Sequence, residues 1–387
     1  LPTEMPQLAD RVQDAHQTAL RKISARCAEI GGVNLSQGIC DLPTPDALKA
    51  GASQAITEDR SSYTHLAGIA PLRQAIAGKM KSFNNVDVDW QTELAVTVGA
   101  AGGFAGALLA TLNPGDEVVL FSPFYRYYTD TLHLFGAVPR FVHTRAPDWR
   151  FSVDELAAAF SDRTRMILVN TPANPSGKVF TREELTAIAR LAREHDAWIL
   201  TDEVYEFITF DHPHVSIASL PDAAGRTITL SSASKTFAIT GWRIGYAAGP
   251  ADLIDKMLVV NDLLNICAPT PLQHGVLAGM HMDADYFDSL GRDYRAKRDM
   301  LADALTDAGL VPYVPQGAFY MMADLGSHEF ATALDAAYGI LERVGVAAVP
   351  GDGFYADTSE GQRQLRFCFA KKRDELDEAC KRLRQLA

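Results

Sequence analysis

The sequence predicts an α/β protein: a mostly parallel sheet sandwiched by helices, with a second, smaller α+β domain. Two observations carry this. Short apolar runs rich in β-branched residues recur at 94–98, 117–121, 138–142, 165–170, 197–201, 227–230 and 244–248. Runs that are apolar throughout mark strands buried on both faces. Segments with helical spacing lie between several of them, at 104–112, 153–160 and 182–194, so crossovers join the strands. Asn113-Pro114-Gly115-Asp116 reads as a turn, and Thr181-Arg182-Glu183-Glu184 as a helix start. From about residue 286 the texture changes. A charged helical stretch at 293–308 leads to a Pro-broken run at 311–324, another helix, a strand-like 365–369 and a closing amphipathic helix. The expected division is a large domain over 40–285 and a small one built from 1–39 plus 286–387.

The 387 residues suffice for a large core in two domains. With 47% hydrophobic and 22% charged residues, the composition is that of a soluble globular protein. A net charge of −12, with no basic run to offset it, argues against nucleic-acid binding but allows a basic pocket for a small anion. Cys27, Cys40, Cys267, Cys368 and Cys380 are scattered without metal-ligand spacing, and read as thiols in a reducing compartment. No apolar run approaches the roughly twenty residues of a membrane helix, and no signal-peptide apolar region is visible. The expectation is a soluble, cytoplasmic protein without membrane or metal.

The chemistry-bearing residues gather at strand ends. Lys235 closes Ser231-Ser232-Ala233-Ser234-Lys235, and Arg243 follows. A lysine among small hydroxyl residues, with an arginine beyond, can hold a phosphorylated aldehyde as a Schiff base. Asp202 ends an apolar run, and ligands of open α/β sheets sit beyond the carboxyl ends of strands. Taken alone, it could equally cap the next helix. Asn174-Pro175-Ser176-Gly177 follows a second strand, although such residues are also plain turn formers. Gly99-Ala100-Ala101-Gly102-Gly103 ends a third strand and opens a helix, where backbone N–H groups can reach a phosphate. Ser232-x-x-Lys235 also matches a serine-acylase motif, but its companions Ser-Asp-Asn and Lys-Thr-Gly do not occur. Together these segments provide a phosphate cradle, a ring-oxygen donor, a ring-nitrogen partner and a Schiff-base lysine. Those are the parts of a pyridoxal 5'-phosphate (PLP) site.

With these residues in place, the chain resembles the class I aminotransferases. These are fold-type I PLP-dependent enzymes, and the branch holds aspartate, aromatic, methionine and kynurenine aminotransferases. The resemblance runs from Asn34-Leu35-Ser36-Gln37-Gly38 through Tyr63-Thr64-x-x-x-Gly68-x-x-x-Leu72-Arg73 to Leu365-Arg366-Phe367-Cys368-Phe369-Ala370. It implies a role for each matching residue. Lys235 would carry the Schiff base and move the substrate proton. Asp202 would pair with the pyridinium nitrogen, while Asn174 and Tyr205 would bond the phenolic oxygen. Ser232, Arg243, Ala100 and Ala101 would bind the phosphate, with Tyr63 reaching it from the other subunit of a homodimer. Tyr125 falls at the ring-stacking position. Arg366 would bind the substrate α-carboxylate, with Gly38 leaving room beside it.

The chain also departs from the family pattern. Gly99-Ala100-Ala101-Gly102 replaces the usual Gly-Ala-Thr-Glu, so the loop has no hydroxyl side chain. Cys40 stands where a proline is common, and no arginine is evident that would read a dicarboxylate side chain. Phe124, Tyr127, Tyr128, Ile39 and Leu42 hint at an apolar or aromatic side-chain pocket. The expected activity moves an amino group from such an amino acid to a 2-oxo acid such as 2-oxoglutarate, by a ping-pong mechanism. A PLP-dependent lyase or cyclase on the same fold remains an alternative. A PLP-sensing transcription regulator would need a DNA-binding domain, for which the segment before the PLP-fold residues leaves no room. Three weaker signals get bland readings: Gly351-Asp352-Gly353-x-x-Ala356 as a loop before a strand, His212-Pro213-His214 as a surface turn, and Trp242 as packing.

Overall fold

The computed structural model describes residues 9–13 and 19–387. Its strands, in chain order, begin with β1 (Val33–Asn34), β2 (Leu94–Val98), β3 (Glu117–Ser122) and β4 (Val138–His143). Next come β5 (Thr164–Asn170), β6 (Trp198–Asp202), β7 (Thr227–Ser232) and β8 (Ile244–Ala248). The remainder are β9 (Val311–Tyr313), β10 (Tyr320–Asp324), β11 (Val346–Ala347), β12 (Val349–Pro350) and β13 (Gln364–Cys368). The main sheet has seven strands in the order β2-β8-β7-β6-β5-β3-β4. Pairs from β4 to β7 are parallel, whereas β8 runs antiparallel to both β7 and β2. Because β8 is reversed, its first residue lies at the edge where β2 and β7 finish: Val98 pairs with Ile244, and Ser232 with Gly245.

Hydrophobic clusters cover both faces. Phe104, Leu108, Leu132, Leu253 and Met257 pack on one side. Leu185, Ile188 and Ala189, from helix Arg182–Glu194, pack on the other with Leu156. Each fully buried aliphatic side chain contributes roughly 1.5–3 kcal/mol, which makes continuous apolar strands stable only between helices. Helix Arg182–Glu194 starts with the expected capping box. Thr181 Oγ1 accepts from the Glu184 N–H at 3.2 Å, and the Thr181 N–H donates to Glu184 Oε2 at 2.9 Å.

A second sheet, antiparallel, has the order β12-β13-β10-β9, and β1 pairs parallel with β11. Its core joins Leu301, Ile340 and Leu376 from three helices with Phe319 and Phe367. Tyr205 and Ile208, just after β6, belong to the same cluster and tie this unit to the main sheet.

Several boundaries differ from the sequence reading. Helix Gly99–Thr111 starts ahead of the apolar spacing at 104–112, directly after β2, where the glycine-rich segment was read as opening a helix and where Gly99 adopts φ +63°. The charged helix spans Ala284–Asp307, longer than its apolar spacing suggested. The run at 311–324 splits into β9 and β10. After Gly351 no strand follows directly: 3₁₀ turns at Gly351–Phe354 and Thr358–Gly361 precede β13. All five cysteines are free thiols, and only Cys267 is partly exposed. Among the described residues, no helix is long and apolar enough to cross a membrane.

Candidate active site

Asp202 sits at the carboxyl end of β6. The Tyr128 hydroxyl donates to its Oδ2 at 2.6 Å, and the Val204 N–H donates to its Oδ1 at 3.2 Å. Burial pushes its pKa up, while the Tyr128 hydrogen bond favours the ionised form and works against that rise. Asn170, at the end of the neighbouring β5, braces two candidates together. Its Nδ2 donates to the Asp202 carbonyl at 3.0 Å, and its Oδ1 accepts from the Asn174 N–H at 2.7 Å.

Lys235 lies in the short helix Ala233–Thr236 that follows β7, capped by Ser232, whose Oγ accepts from the Ser234 N–H at 3.1 Å. The Lys235 Nζ donates to the Gly38 carbonyl at 3.3 Å and lies over the rings of Phe319 and Tyr205, at 5.5 and 5.9 Å. Burial lowers its pKa, and Asp202 restores only part of the shift. A lysine so placed offers a neutral amine far more readily than a solvated one does.

An anion cradle forms where β2 and β8 meet. Arg243 adopts φ +58° just before β8 and lies against Gly99. A Cβ on Gly99 would fall 2.7 Å from Arg243 Cζ, and one on Gly245 would fall 2.6 Å from the Ala100 nitrogen. The missing side chains bring the guanidinium against the first turn of helix Gly99–Thr111, where free N–H groups favour a phosphate.

Arg366, on β13, is buried. Its Nη1 donates to Asn174 Oδ1 at 2.8 Å and its Nη2 to the Ser36 carbonyl at 2.9 Å. The guanidinium lies 4.3 Å from the Tyr320 ring centroid and 4.9 Å from that of Phe354, and its Nε has no partner. The Tyr205 hydroxyl is 3.2 Å from that of Tyr320. A side chain on Gly38 would collide with the Tyr320 hydroxyl, so the room left by Gly38 serves Tyr320.

A cavity of about 430 Å³ takes in every residue expected to hold PLP or the substrate α-carboxylate except Tyr63, which is 77% exposed and lies off the cavity wall. Of the residues expected to form an apolar pocket, Ile39, Tyr127 and Tyr128 line it. Phe124 and Leu42 instead belong to the cores, Phe124 stacking on Phe141 with centroids 5.2 Å apart. Tyr128, Asn170, Tyr320 and Arg21 are among the lining residues that escaped the sequence reading as polar site groups. Asn170 was within reach, since it ends a strand at the same edge as Asp202. The others carry no motif.

The surface-turn reading of His212-Pro213-His214 is corrected. The His214 side chain is 1% exposed, and its Nε2 lies 2.9 Å from Glu203 Oε2. A carboxylate cluster is also present there, with Glu203, Glu206 and His214 offering ligand atoms within 4.8 Å of one another. Protein partners already engage it: Lys79 Nζ donates to Glu206 at 2.6 Å and Ser216 Oγ to Glu203 at 2.9 Å. Trp242 packs into the cluster around Phe237 and Val276.

The residues fit a phosphorylated pyridine aldehyde. The Gly99–Arg243 cradle suits a phosphate, Asp202 a ring nitrogen and Lys235 a carbonyl. The model of the aminotransferase class I and II family matches residues 30–383. The probable N-succinyldiaminopimelate aminotransferase DapC of Mycobacterium tuberculosis is 38% identical over 97% of this chain and 98% of its own. Kynurenine–oxoglutarate transaminase 3 of Rattus norvegicus is 34% identical over 96% of this chain and 88% of its own. The solved N-succinyldiaminopimelate aminotransferase from Mycobacterium tuberculosis superimposes with a TM-score of 0.94 at 36% identity, covering 98% of this chain and all of that one (100%). The chain belongs to the class I and II aminotransferases, with the mostly parallel α/β architecture of PLP fold type I. Its activity is that of a transaminase acting on an amino acid and a 2-oxo acid, and the lyase or cyclase alternative finds no counterpart among these relatives.

Proposed function

We propose that this transaminase uses PLP, held at Lys235, to move an amino group from an amino acid with an apolar or aromatic side chain to a 2-oxo acid such as 2-oxoglutarate. The observation that carries the reading is that Lys235, Asp202, Arg366 and the Arg243 cradle open on one cavity. When bound, PLP supplies a carbonyl for the lysine amine and a conjugated ring that takes up negative charge from the substrate Cα. Asp202 would keep the ring nitrogen protonated, its ionised form favoured by the Tyr128 hydrogen bond. Asn174 and Tyr205 would hydrogen-bond the phenolic oxygen. Ser232, Arg243 and the Ala100 and Ala101 backbone would hold the phosphate, and Tyr125 would stack on the ring. Arg366 binds the substrate α-carboxylate through a planar fork that its bonds to Asn174 and Ser36 fix in advance. The Lys235 amine, buried and of lowered pKa, would take the proton from the substrate Cα and return it at the carbon on the far side of the substrate nitrogen.

The donor class rests on Ile39, Phe104, Tyr125 and Tyr127 in the wall, and the acceptor accords with a relative named kynurenine–oxoglutarate transaminase 3. A homodimer is part of the reading, with Tyr63 completing the partner's phosphate site. Its exposure, and that of Leu263 at 80% and Leu264 at 59%, supports a covered surface. The same reading keeps a large domain at 40–285 and a small one at 1–39 plus 286–387, and free thiols in a cytoplasmic setting.

The test is a pair of half-reactions on the purified, PLP-loaded protein. An apolar or aromatic amino acid should release one equivalent of its 2-oxo acid per site, and 2-oxoglutarate should then leave as glutamate. Release of ammonia with the oxo acid, and no glutamate, overturns the reading.

A further inference from the structure

Tyr320, on β10, lies against three groups of the site at once. Its hydroxyl accepts a hydrogen bond from the Tyr205 hydroxyl at 3.2 Å. Its ring centroid lies 4.3 Å from the Arg366 guanidinium. The same hydroxyl fills the space that a side chain on Gly38 would need. Strand register sets this placement. Tyr320 pairs with Cys368 and Met322 with Arg366, so Arg366 is the diagonal neighbour of Tyr320 on one face of the sheet. Both tyrosines are buried, and both line the cavity.

The two hydroxyls carry two protons and share one hydrogen bond. Burial pushes both pKa values up, so both groups stay protonated. Among the described residues, no other group hydrogen-bonds either hydroxyl. One proton of the pair is therefore left without a protein acceptor, and the cavity is where an acceptor can sit. A hydroxyl rotates about its C–O bond, and it both donates and accepts. An anionic oxygen beside Tyr205 draws the Tyr205 proton, and the Tyr320 proton then turns onto the Tyr205 oxygen. Accepting that bond strengthens Tyr205 as a donor.

We propose that Tyr320 is a positioning residue with two arms: its hydroxyl sets Tyr205 to donate to the phenolic oxygen of the cofactor, and its ring holds Arg366 in place for the substrate carboxylate. This rests on the PLP reading of the cavity and deepens it. The ring acts separately from the hydroxyl. Asn174 and the Ser36 carbonyl engage Nη1 and Nη2 of Arg366, while the rings of Tyr320 and Phe354 lie against the guanidinium and its Nε keeps no partner. An aromatic face fixes the plane of a guanidinium without consuming an N–H donor, so the remaining donors stay free for a carboxylate. One side chain thus braces both the partner of the cofactor oxygen and the anchor of the substrate.

The test separates the hydroxyl from the ring. Tyr320→Phe keeps the ring and removes the hydroxyl. On the PLP-loaded protein, the pH midpoint of the visible absorbance should rise by about half a unit, because the phenolic oxygen is then less stabilised as an anion. In a Tyr205→Phe background the same substitution should move the midpoint no further, since Tyr320 acts through Tyr205. Tyr320→Leu removes the ring as well. Calorimetry should show binding of 3-phenylpropionate, a carboxylate with no amine to react, weakened about tenfold in that variant. Tyr320→Phe should bind it as wild type does. An unmoved midpoint, an equal shift with and without the Tyr205 hydroxyl, or one carboxylate affinity for all three proteins would overturn the role while leaving transamination standing. A wild type that takes up no PLP overturns the reading of the cavity, and this role with it.

Discussion

The Tyr128 hydroxyl donates to Asp202 Oδ2 at 2.6 Å, at the end of the strand nearest the middle of the sheet edge. The bond stabilises the ionised carboxylate against a burial that favours the neutral acid. Tyr128→Phe should therefore raise the Asp202 pKa. Since Asp202 must be ionised to hold a protonated ring, the acid limb of kcat/KM against pH should move to higher pH. Activity on the plateau should fall about tenfold. A pH profile of the variant checks this, and an unmoved acid limb removes Tyr128 from the role.

Lys235→Ala should bind PLP without a covalent link and turn over almost nothing. Borohydride reduction followed by peptide mass mapping should tag the peptide containing residue 235 in wild type, and no peptide in the variant.

Arg366→Lys replaces a planar fork, pinned at 2.8 and 2.9 Å, with a point charge on a flexible stem. KM for amino acid and 2-oxo acid alike should rise about 10- to 100-fold, with PLP retained. Steady-state kinetics with both substrates decides it. Unchanged KM values would remove Arg366 from the substrate site.

Glu117, far from the cavity, provides a pH test of stability. Arg140 donates to its Oε1 at 2.6 Å, while Ser161 and Arg163 add further bonds, and its pKa is held down to about 2 from 4.5. A depressed carboxylate stabilises the fold fully above its unfolded pKa, and that contribution is lost as pH falls through the folded one. Glu117→Gln should therefore melt lower than wild type at pH 7, with the gap closing between about pH 4.5 and pH 2. Melting curves across that range settle it. A gap constant with pH would mean packing, not charge.

Much of the architecture was legible before any coordinates. Strands such as Leu94–Val98 and Ile244–Ala248 follow the apolar runs residue for residue, because burial on both faces leaves no polar position to blur the boundary. Motif residues were legible too, since Lys235, Asp202 and Asn174 sit where strand ends deliver them. Helix starts were harder to read. The helix Ala284–Asp307 begins well before the charged stretch at 293–308 that marked it, because Tyr286, Phe287 and Leu290 pack its first turns into the cores. His214 looked like a surface residue beside a proline, yet Glu203 gives it a buried partner. The two residues stand 11 positions apart with no motif spacing, so the loop between them had to fold before the pair could be seen.

The sequence by itself determined the class of chemistry. A lysine, a carboxylate and an arginine in a fixed order after apolar strands are set by covalent spacing and by the direction of the sheet. Only the tertiary structure decided which side chains modify that chemistry. Tyr128 reaches Asp202 across 74 positions, and Tyr320 fills the space above Gly38 and stacks on Arg366. Each depends on how separate elements pack, and packing is a property of the assembled core rather than of any segment of the chain.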